Sequence, residues 1–152
     1  MKTINSHTIG FTKKTAERFF TLLNDNNVKT IIDTRLNNSS QLSGFAKEKD
    51  LRFFLKKICK IEYVYLPELA PEKKFLNDYK NKVITWDEYA IEYVNLMEKR
   101  LVSKKINPLD INDGCFLCSE DKPHYCHRRL LAEYLKQQWS IENINMDINH
   151  IV

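Results

Sequence analysis

The chain has 152 residues, 43% of them hydrophobic, and a formal net charge of +4. This length predicts one α/β domain over residues 1–152, and three glycines and four prolines leave little room for linkers. The charge permits an anionic partner but falls short of the charge that a dedicated nucleic-acid-binding domain usually carries. No run approaches the roughly 18 apolar residues of a membrane span, so we expect no membrane association.

The amino terminus and the cysteines favour a cytoplasmic protein. Residues 1–7 lack the apolar region and the cleavage site of a secretory signal. The cysteines are too few and too clustered for a disulfide framework, so we expect reduced thiols at Cys59, Cys115, Cys118 and Cys126. The sequence assigns no cofactor and no oligomeric state.

The first part of the chain predicts two strands with a helix between them. A strand that ends near Gly10 precedes a helix that we expect Thr12 to cap. Helical spacing of apolar residues begins at Thr15 and stops at a breaker cluster, residues 24–27. The β-branched run 28–32 then predicts a second strand.

A polar loop and a basic helix follow. Residues 37–45 form a loop that is long for an α/β connection, which is more often functional than idle. The helix covers about 47–57, with lysines largely outward. We expect its inward residues to be Leu51, Phe54, Leu55 and Ile58.

The second half continues the alternation of strands and helices. Residues 61–66 and 115–118 predict strands, and residues 72–79 and 87–101 predict helices. A polar loop at 119–125 leads to a helix that opens at Cys126, and residues 143–151 predict a last strand or hairpin arm.

This alternation predicts a three-layer α/β fold, with a mostly parallel sheet and helices on both faces. Right-handed crossovers direct the carboxyl ends of parallel strands to one edge of the sheet. We therefore expect the residues that follow four different strands to meet in one pocket. They are Gly10 with Phe11, Asp33 with Arg35, Glu68, and Cys118 with Glu120.

Six stretches in this order make a specific set. They are Thr8–Phe11, Ile32–Arg35, Leu36–Phe45, Leu66–Pro71, and Cys118–Glu120 followed by Cys126–Arg128. The set resembles the bacterial family catalogued as domain of unknown function 488, over nearly the whole chain. Phe11 stands where many members have His or Tyr, and Thr34 where Val is common. The resemblance implies an α/β fold and a shared pocket, without an established reaction.

Cys126 and His127 are the first candidates for catalysis. A cysteine at a helix amino terminus beside a histidine is a possible nucleophile, and it is equally a small buried cap residue. Cys118, Cys126 and His127 are also potential soft-metal ligands. Seven residues separate the two cysteines, which matches none of the usual zinc patterns, and adjacent Cys and His seldom reach one ion. We therefore assign no metal ligands.

Charged residues near the strand ends predict an anion site. Arg128 begins a helix, where a cation is unfavourable because it opposes the helix dipole. An acidic group or a ligand phosphate should therefore neutralise its charge. Arg35 is predicted to hold the same anion, while Asp33 and Glu68 orient the arginines or act as base and acid. The alternative is an internal ion-pair network of Arg35 or Arg128 with Glu68 or Glu120, which shapes the loops. The predicted ligand-binding residues are Gly10, Phe11, Arg35, Phe45, Cys118, Glu120 and Arg128.

Three functions are compatible with these residues, and whether the protein is an enzyme stays open. The first is a pocket for a phosphate-bearing ligand, a nucleotide or a nucleic-acid end, with Cys126, His127, Asp33 and Glu68 supplying any catalysis. The second is a non-enzymatic nucleic-acid-binding module that uses the basic helix, with Phe45 and Trp86 stacking on bases; a solvated lysine face is the commoner explanation of such a helix. The third is a metal- or thiol-dependent enzyme at Cys118, Cys126 and His127.

Overall fold

A parallel β-sheet forms the centre of the structure, a computed structural model that describes residues 2–39 and 43–152. Within these residues the strands are β1 (Lys2–Gly10), β2 (Thr30–Asp33), β3 (Glu62–Tyr65), β4 (Gly114–Cys118) and β5 (Ile144–His150). The helices are α1 (Ala16–Asp25), α2 (Glu48–Phe54), α3 (Lys73–Lys80), α4 (Trp86–Lys99), α5 (Val102–Lys105), α6 (Pro108–Ile111) and α7 (His127–Ile141).

The strand order is β3-β2-β4-β1-β5, and every pair of neighbours is parallel. The last strand is therefore not a hairpin arm, because α7 returns the chain so that Ile144 pairs with Lys2 along the far side of β1. β4 lies between β1 and β2, although both precede it in the sequence. This insertion brings the ends of β2 and β4 side by side.

Helices cover both faces of the sheet, as predicted. Alternate strand residues point to opposite sides, so Ile32 joins a core with α4 and α7 that includes Tyr93 and Trp139. Its neighbour Ile31 faces the other core, together with Phe19 of α1. The three-layer α/β arrangement is thus confirmed.

Local hydrogen bonds explain where α1 begins. The hydroxyl of Thr15 accepts a hydrogen bond from the backbone N–H of Arg18 at 3.1 Å, which caps the helix. The expectation that Thr12 is the cap was wrong. Its backbone N–H instead donates to the carbonyl oxygen of Ser119 at 3.0 Å, because the loop after β4 lies against the end of β1.

The basic helix differs from the predicted regular helix. After α2 the chain continues as a π-helical turn, Leu55–Cys59. A π turn holds more residues than an α turn, so the positions after Leu55 are rotated about the axis. Ile58 is consequently 58% exposed, not inward as predicted.

None of the helices in the described part of the chain combines the length and the apolar character that crossing a membrane requires.

Candidate functional site

A cavity of about 450 Å³ lies at the carboxyl ends of β2 and β4. From β2 the chain continues toward α2 on one face of the sheet, and from β4 it continues into α7 on the other face. Adjacent parallel strands whose connections leave to opposite faces open a crevice between them, which is where α/β proteins usually bind ligands. Arg35, Cys118, Glu120, Cys126 and His127 all line this cavity.

Two sulfur atoms and an imidazole form one wall of the cavity. Cys118 is the last residue of β4, Cys126 is the N-cap of α7, and His127 is the first residue of that helix. The Sγ atoms of the two cysteines are joined in a disulfide, so the expectation that these thiols are reduced was wrong. One ring nitrogen of His127 and both sulfurs lie within 4.8 Å of one another.

The side chains of Cys126 and His127 lie close together, although adjacent Cys and His residues were expected seldom to reach one ion. Neighbouring residues in a regular helical turn point about 100° apart, which usually separates their side chains. Cys126, however, has extended backbone angles, φ −136° and ψ 140°, and only His127 is helical. The change of conformation between them lets both side chains face the cavity.

Thr34 fixes the ring of His127. The Nε2 atom lies 3.0 Å from the carbonyl oxygen of Thr34 and 3.0 Å from its hydroxyl, which itself donates to the carbonyl oxygen of Leu117. A carbonyl oxygen only accepts, so Nε2 carries the ring proton. Burial lowers the pKa of His127 to about 4, although the hydrogen bond to Thr34 opposes this shift. The ring is therefore neutral at pH 7, with an unprotonated Nδ1.

Arg35 is neutralised within the protein. Its Nε and Nη2 atoms donate to the two carboxylate oxygens of Asp33, each at 2.8 Å, and Nη1 donates to the carbonyl oxygen of Ala46 at 2.7 Å. The hydroxyl of Tyr63 donates to the same carboxylate at 2.5 Å, and burial raises the pKa of this tyrosine. Asp33 is fully buried and Arg35 is 3% exposed. Arg35 is thus held in an internal ion pair, but its partner is Asp33 and not Glu68 or Glu120, the partners that the ion-pair alternative predicted.

Arg128 holds the loop after β4. Its Nη1 donates to the carbonyl oxygen of Glu120, Nη2 to that of Asp121 at 3.1 Å, and Nε to the hydroxyl of Thr8 at 3.3 Å. The guanidinium therefore donates its hydrogen bonds to backbone and hydroxyl oxygens and not to a carboxylate. Burial lowers its pKa to about 10, so the guanidinium stays charged at pH 7. Arg128 and Arg35 are not two halves of one clamp, because Arg128 is directed at this loop.

Gly10 permits the close passage of that loop over the end of β1. A Cβ atom at this position would collide with the carbonyl oxygen of Glu120 and lie 2.9 Å from Nη1 of Arg128. Gly10 therefore contributes to the site through backbone packing rather than through contact with the cavity.

Three other predicted residues lie elsewhere. Glu68 is exposed and lines a separate cavity of about 660 Å³. Phe11 is buried, and the centre of its ring lies 5.4 Å from the guanidinium carbon of Arg35. Phe45 packs on Phe19 at 5.3 Å, on the face of the sheet opposite to Trp86, so these two rings do not form one stacking platform. Part of the predicted polar loop, residues 40–42, lies outside the described residues.

The basic helix offers fewer free cations than its sequence suggested. Two nitrogens of Arg52 donate to a carboxylate oxygen of Glu48, and its guanidinium lies 4.6 Å from the ring centre of Tyr63. Lys49 is exposed, as a solvated lysine face predicts. This arrangement gives no specific support to the nucleic-acid-binding alternative.

Most of the helical wall of the cavity was not predicted from the sequence, which named only Trp86 of it, as a ring that stacks on bases. Lys73, Tyr79 and Lys80 of α3 line it, together with Trp86 and Tyr89 of α4. The rings are in mutual contact, with Trp86 stacked on Tyr89 at 5.3 Å and 5.4 Å from Tyr79. Lysines and aromatic residues at helical spacing were the available signal, but that pattern is also typical of an ordinary amphipathic helix.

Tyr125 completes the rim of the cavity. It is 65% exposed and meets the ring of Trp86 edge to face at 5.5 Å. It belongs to the polar loop 119–125, which was predicted to lead into the helix that opens at Cys126.

A family model described as "Domain of unknown function DUF488" matches residues 15–135. The chain belongs to the DUF488 family. The match confirms the resemblance noted in the sequence, and it contains every residue that lines the cavity at the ends of β2 and β4. Neither a curated protein nor a solved structure matches the chain. The function of this DUF488 protein must therefore be argued from the cavity itself.

Proposed function

We propose that this cavity binds an anionic, ring-bearing small molecule, a nucleotide being the closest chemical class, and that Cys118, Cys126 and His127 act on it. The observation that carries the proposal is the combination within one cavity of exposed lysines, a row of aromatic rings and a Cys-His cluster. The volume of about 450 Å³ suits such a molecule, because ligand pockets generally enclose about 300–1,000 Å³.

The lysines support an anionic ligand. Lys73 and Lys80 are exposed, and among the described residues neither forms a salt bridge with a carboxylate. The charge of Arg35, in contrast, is already neutralised by Asp33. The two ammonium groups are therefore better suited than the predicted arginines to neutralise a phosphate. Among the described residues that line the cavity, Glu120 is the one acidic side chain.

The aromatic residues support a planar ring. Trp86 and Tyr125 meet edge to face and leave Tyr125 65% exposed at the rim. An aromatic base stacked on such a side chain gains about 1–3 kcal/mol, with little dependence on which base it is. A molecule with a phosphate near α3 and a ring near Tyr125 would use both walls.

The cluster supports chemistry on the bound molecule. After reduction, the Cys126 thiol sits at the amino terminus of α7, where backbone N–H groups and the dipole favour a thiolate. The unprotonated nitrogen of His127 retains a free lone pair. Asp33 is not suited to the predicted catalytic role, because both of its oxygens are occupied by Arg35 and Tyr63.

Isothermal titration tests the proposal with adenosine diphosphate as the probe. Inorganic pyrophosphate supplies the charge without the ring, and adenosine supplies the ring without the charge. We expect the diphosphate to bind more tightly than either part. Binding of pyrophosphate and adenosine with affinities equal to that of the intact nucleotide would contradict a two-walled site.

Charge reversal on α3 locates the binding. Lys80→Glu should weaken binding of adenosine diphosphate by about tenfold or more, because a hydrogen bond to a charged group contributes roughly 1.5–3 kcal/mol. Lys74→Glu is the matched control. Lys74 lies on the same helix but pairs with Asp78 at 2.9 Å and does not line the cavity. Equal weakening by both variants would place the anion outside the cavity.

A further inference from the structure

The set of donor atoms in this wall of the cavity, formed by Cys118, Cys126 and His127, is suited to a metal ion. Cys118, Cys126 and His127 each offer one ligand atom, and these atoms lie within 4.8 Å of one another. Two thiolates and an imidazole are donors that zinc prefers, and one tetrahedral ion bonds sulfur at about 2.3 Å and nitrogen at about 2.0–2.1 Å. We propose that the reduced cluster binds one zinc ion through both thiolates and the unprotonated ring nitrogen of His127.

A second observation supports His127 as a ligand. Histidines that bind metals almost always donate their other ring N–H to a carboxylate, a backbone carbonyl or water, which fixes the tautomer and the ring orientation. Nε2 of His127 makes this hydrogen bond to the carbonyl oxygen of Thr34 at 3.0 Å. Thr34 is itself held by its backbone N–H, which donates to Leu117 at 3.1 Å. The outer shell of the site is thus already in place.

The burial of the ligands indicates which kind of zinc site this is. Cys118 and Cys126 are each 3% exposed and His127 is 8% exposed, yet all three line the cavity. Structural zinc sites have four protein ligands, whereas catalytic sites have three and keep one position for water or substrate. Three protein ligands would leave one coordination position free, and all three residues line the cavity. The zinc would therefore contact the molecule that the proposed function places there, and this part of the inference rests on that function.

Zinc and the disulfide are mutually exclusive states of the two sulfurs. Reduction by a dithiol transfers two electrons and two protons to the disulfide and yields two thiols, while the dithiol becomes a disulfide. Zinc then replaces the two thiol protons, which pass to solvent. The Cα atoms of Cys118 and Cys126 lie 7.5 Å apart, beyond the roughly 4.4–6.8 Å common in disulfides, so the backbone already provides room for two separate thiolates.

Zinc titration of tag-free, chelator-treated protein, in a phosphine reductant and without any nucleotide, tests the inference. We expect one zinc per chain. Cys118→Ser, Cys126→Ser and His127→Asn should each weaken binding by more than about 100-fold, since loss of even an outer-shell partner typically weakens metal affinity 10–100-fold. Cys59→Ser is the matched control, because Cys59 is a free, partly exposed thiol outside the cluster, and this variant should bind zinc like the wild type.

Cobalt(II) substitution identifies the donors independently. Binding at the cluster should produce thiolate-to-cobalt charge-transfer absorption and the visible bands of tetrahedral cobalt, both absent in the Cys118→Ser, Cys126→Ser double variant and present in Cys59→Ser. Circular dichroism and the unfolding midpoint of each variant check that it is folded. Wild-type protein that binds zinc no better than the folded double variant would overturn the inference.

Nucleotide titration of the zinc-free protein separates the two proposals. Zinc binding without any nucleotide binding would support the metal site and contradict the proposed function. Nucleotide binding at the cavity, by a reduced protein that takes up no zinc, would contradict the metal site and leave the proposed function standing.

Discussion

The Nε2 atom of His127 lies 3.0 Å from the carbonyl oxygen of Thr34, so the first residue of α7 is tied to the residue that follows β2. Thr34 in turn bonds to the carbonyl oxygen of Leu117 in β4. One short chain of hydrogen bonds therefore connects both strand ends to the helix that carries the cluster. This connection explains how residues from three elements share one rigid cavity wall.

Gly10→Ala should severely destabilise the protein. The new Cβ would collide with the backbone at Glu120, which is held in place by Arg128 and cannot move aside like a flexible side chain. Overpacking usually costs about 1–3 kcal/mol and occasionally more, and we expect at least about 3 kcal/mol here from urea unfolding. Gly44→Ala is the control, since a Cβ there meets nothing within 4 Å, and it should change the free energy of unfolding by less than about 0.5 kcal/mol.

Asp33→Asn should leave the buried guanidinium of Arg35 without its counter-charge. Removing one partner of a buried ion pair typically costs about 3–5 kcal/mol, and we expect at least about 3 kcal/mol in the free energy of unfolding. Asp78→Asn breaks the exposed pair with Lys74, whose side chain is 87% exposed, and should cost less than about 0.5 kcal/mol. Similar losses in both variants would show that burial does not decide the strength of the Asp33–Arg35 pair.

The ion pair between Lys14 and Asp121 should make stability depend on pH. The Lys14 ammonium donates to Asp121 at 2.7 Å, and this hydrogen bond holds the pKa of that carboxyl below its usual value. The resulting stabilisation is fully present above the unfolded pKa of about 3.9 and is lost as the pH falls through the lower folded pKa. In the Asp121→Asn variant this carboxyl group is absent, so this contribution to the pH dependence of stability is absent as well.

Chemical unfolding of the wild type and of Asp121→Asn at several pH values measures this effect. The difference between their free energies of unfolding should be constant from about pH 7 to about pH 5 and should shrink below about pH 4. A difference that keeps its neutral-pH size down to about pH 2 would contradict the role given to this carboxylate.

The layers of the fold were predictable from periodicity, but the strand neighbours were not. The run 28–32 is rich in β-branched residues and the run 115–118 is apolar, and the alternation of such runs with helices predicts a parallel sheet covered on both faces. The order of the strands depends on packing between elements far apart in the sequence. That order places the ends of β2 and β4 together and leaves β3 at the edge.

The candidate site was only partly predictable, because it also depends on the order of the strands. Arg35 and Cys118 share a cavity because their strands are adjacent, whereas Glu68 follows the edge strand and faces other surroundings. The turn Pro67–Leu69 contributes to this, because the carbonyl oxygen of Glu68 accepts a hydrogen bond from Arg100 at 2.8 Å. The lysines of α3 lie in a helix and not at the end of a strand, so the position of the strand ends gave no means of selecting them.

Tyr125→Ala should weaken the binding of adenosine diphosphate by about tenfold, because in the proposed site the exposed ring stacks on the base and such contacts contribute about 1–3 kcal/mol. The affinity for pyrophosphate should be unchanged, since this anion has no ring. Phe53→Ala is the control, because Phe53 is 56% exposed but does not line the cavity. Isothermal titration that finds the same loss for both ligands would contradict a base-stacking role.

The central claim is that ligand and cysteines meet in one cavity, and site-resolved alkylation tests it most directly. Reduced, zinc-free protein is treated with iodoacetamide with and without saturating adenosine diphosphate, and mass spectrometry follows each cysteine. Bound nucleotide should slow the alkylation of Cys118 and Cys126 and leave the rate at Cys59, which lies outside the cavity, unchanged. Nucleotide that binds while Cys118 and Cys126 react as fast as in the free protein would contradict the claim.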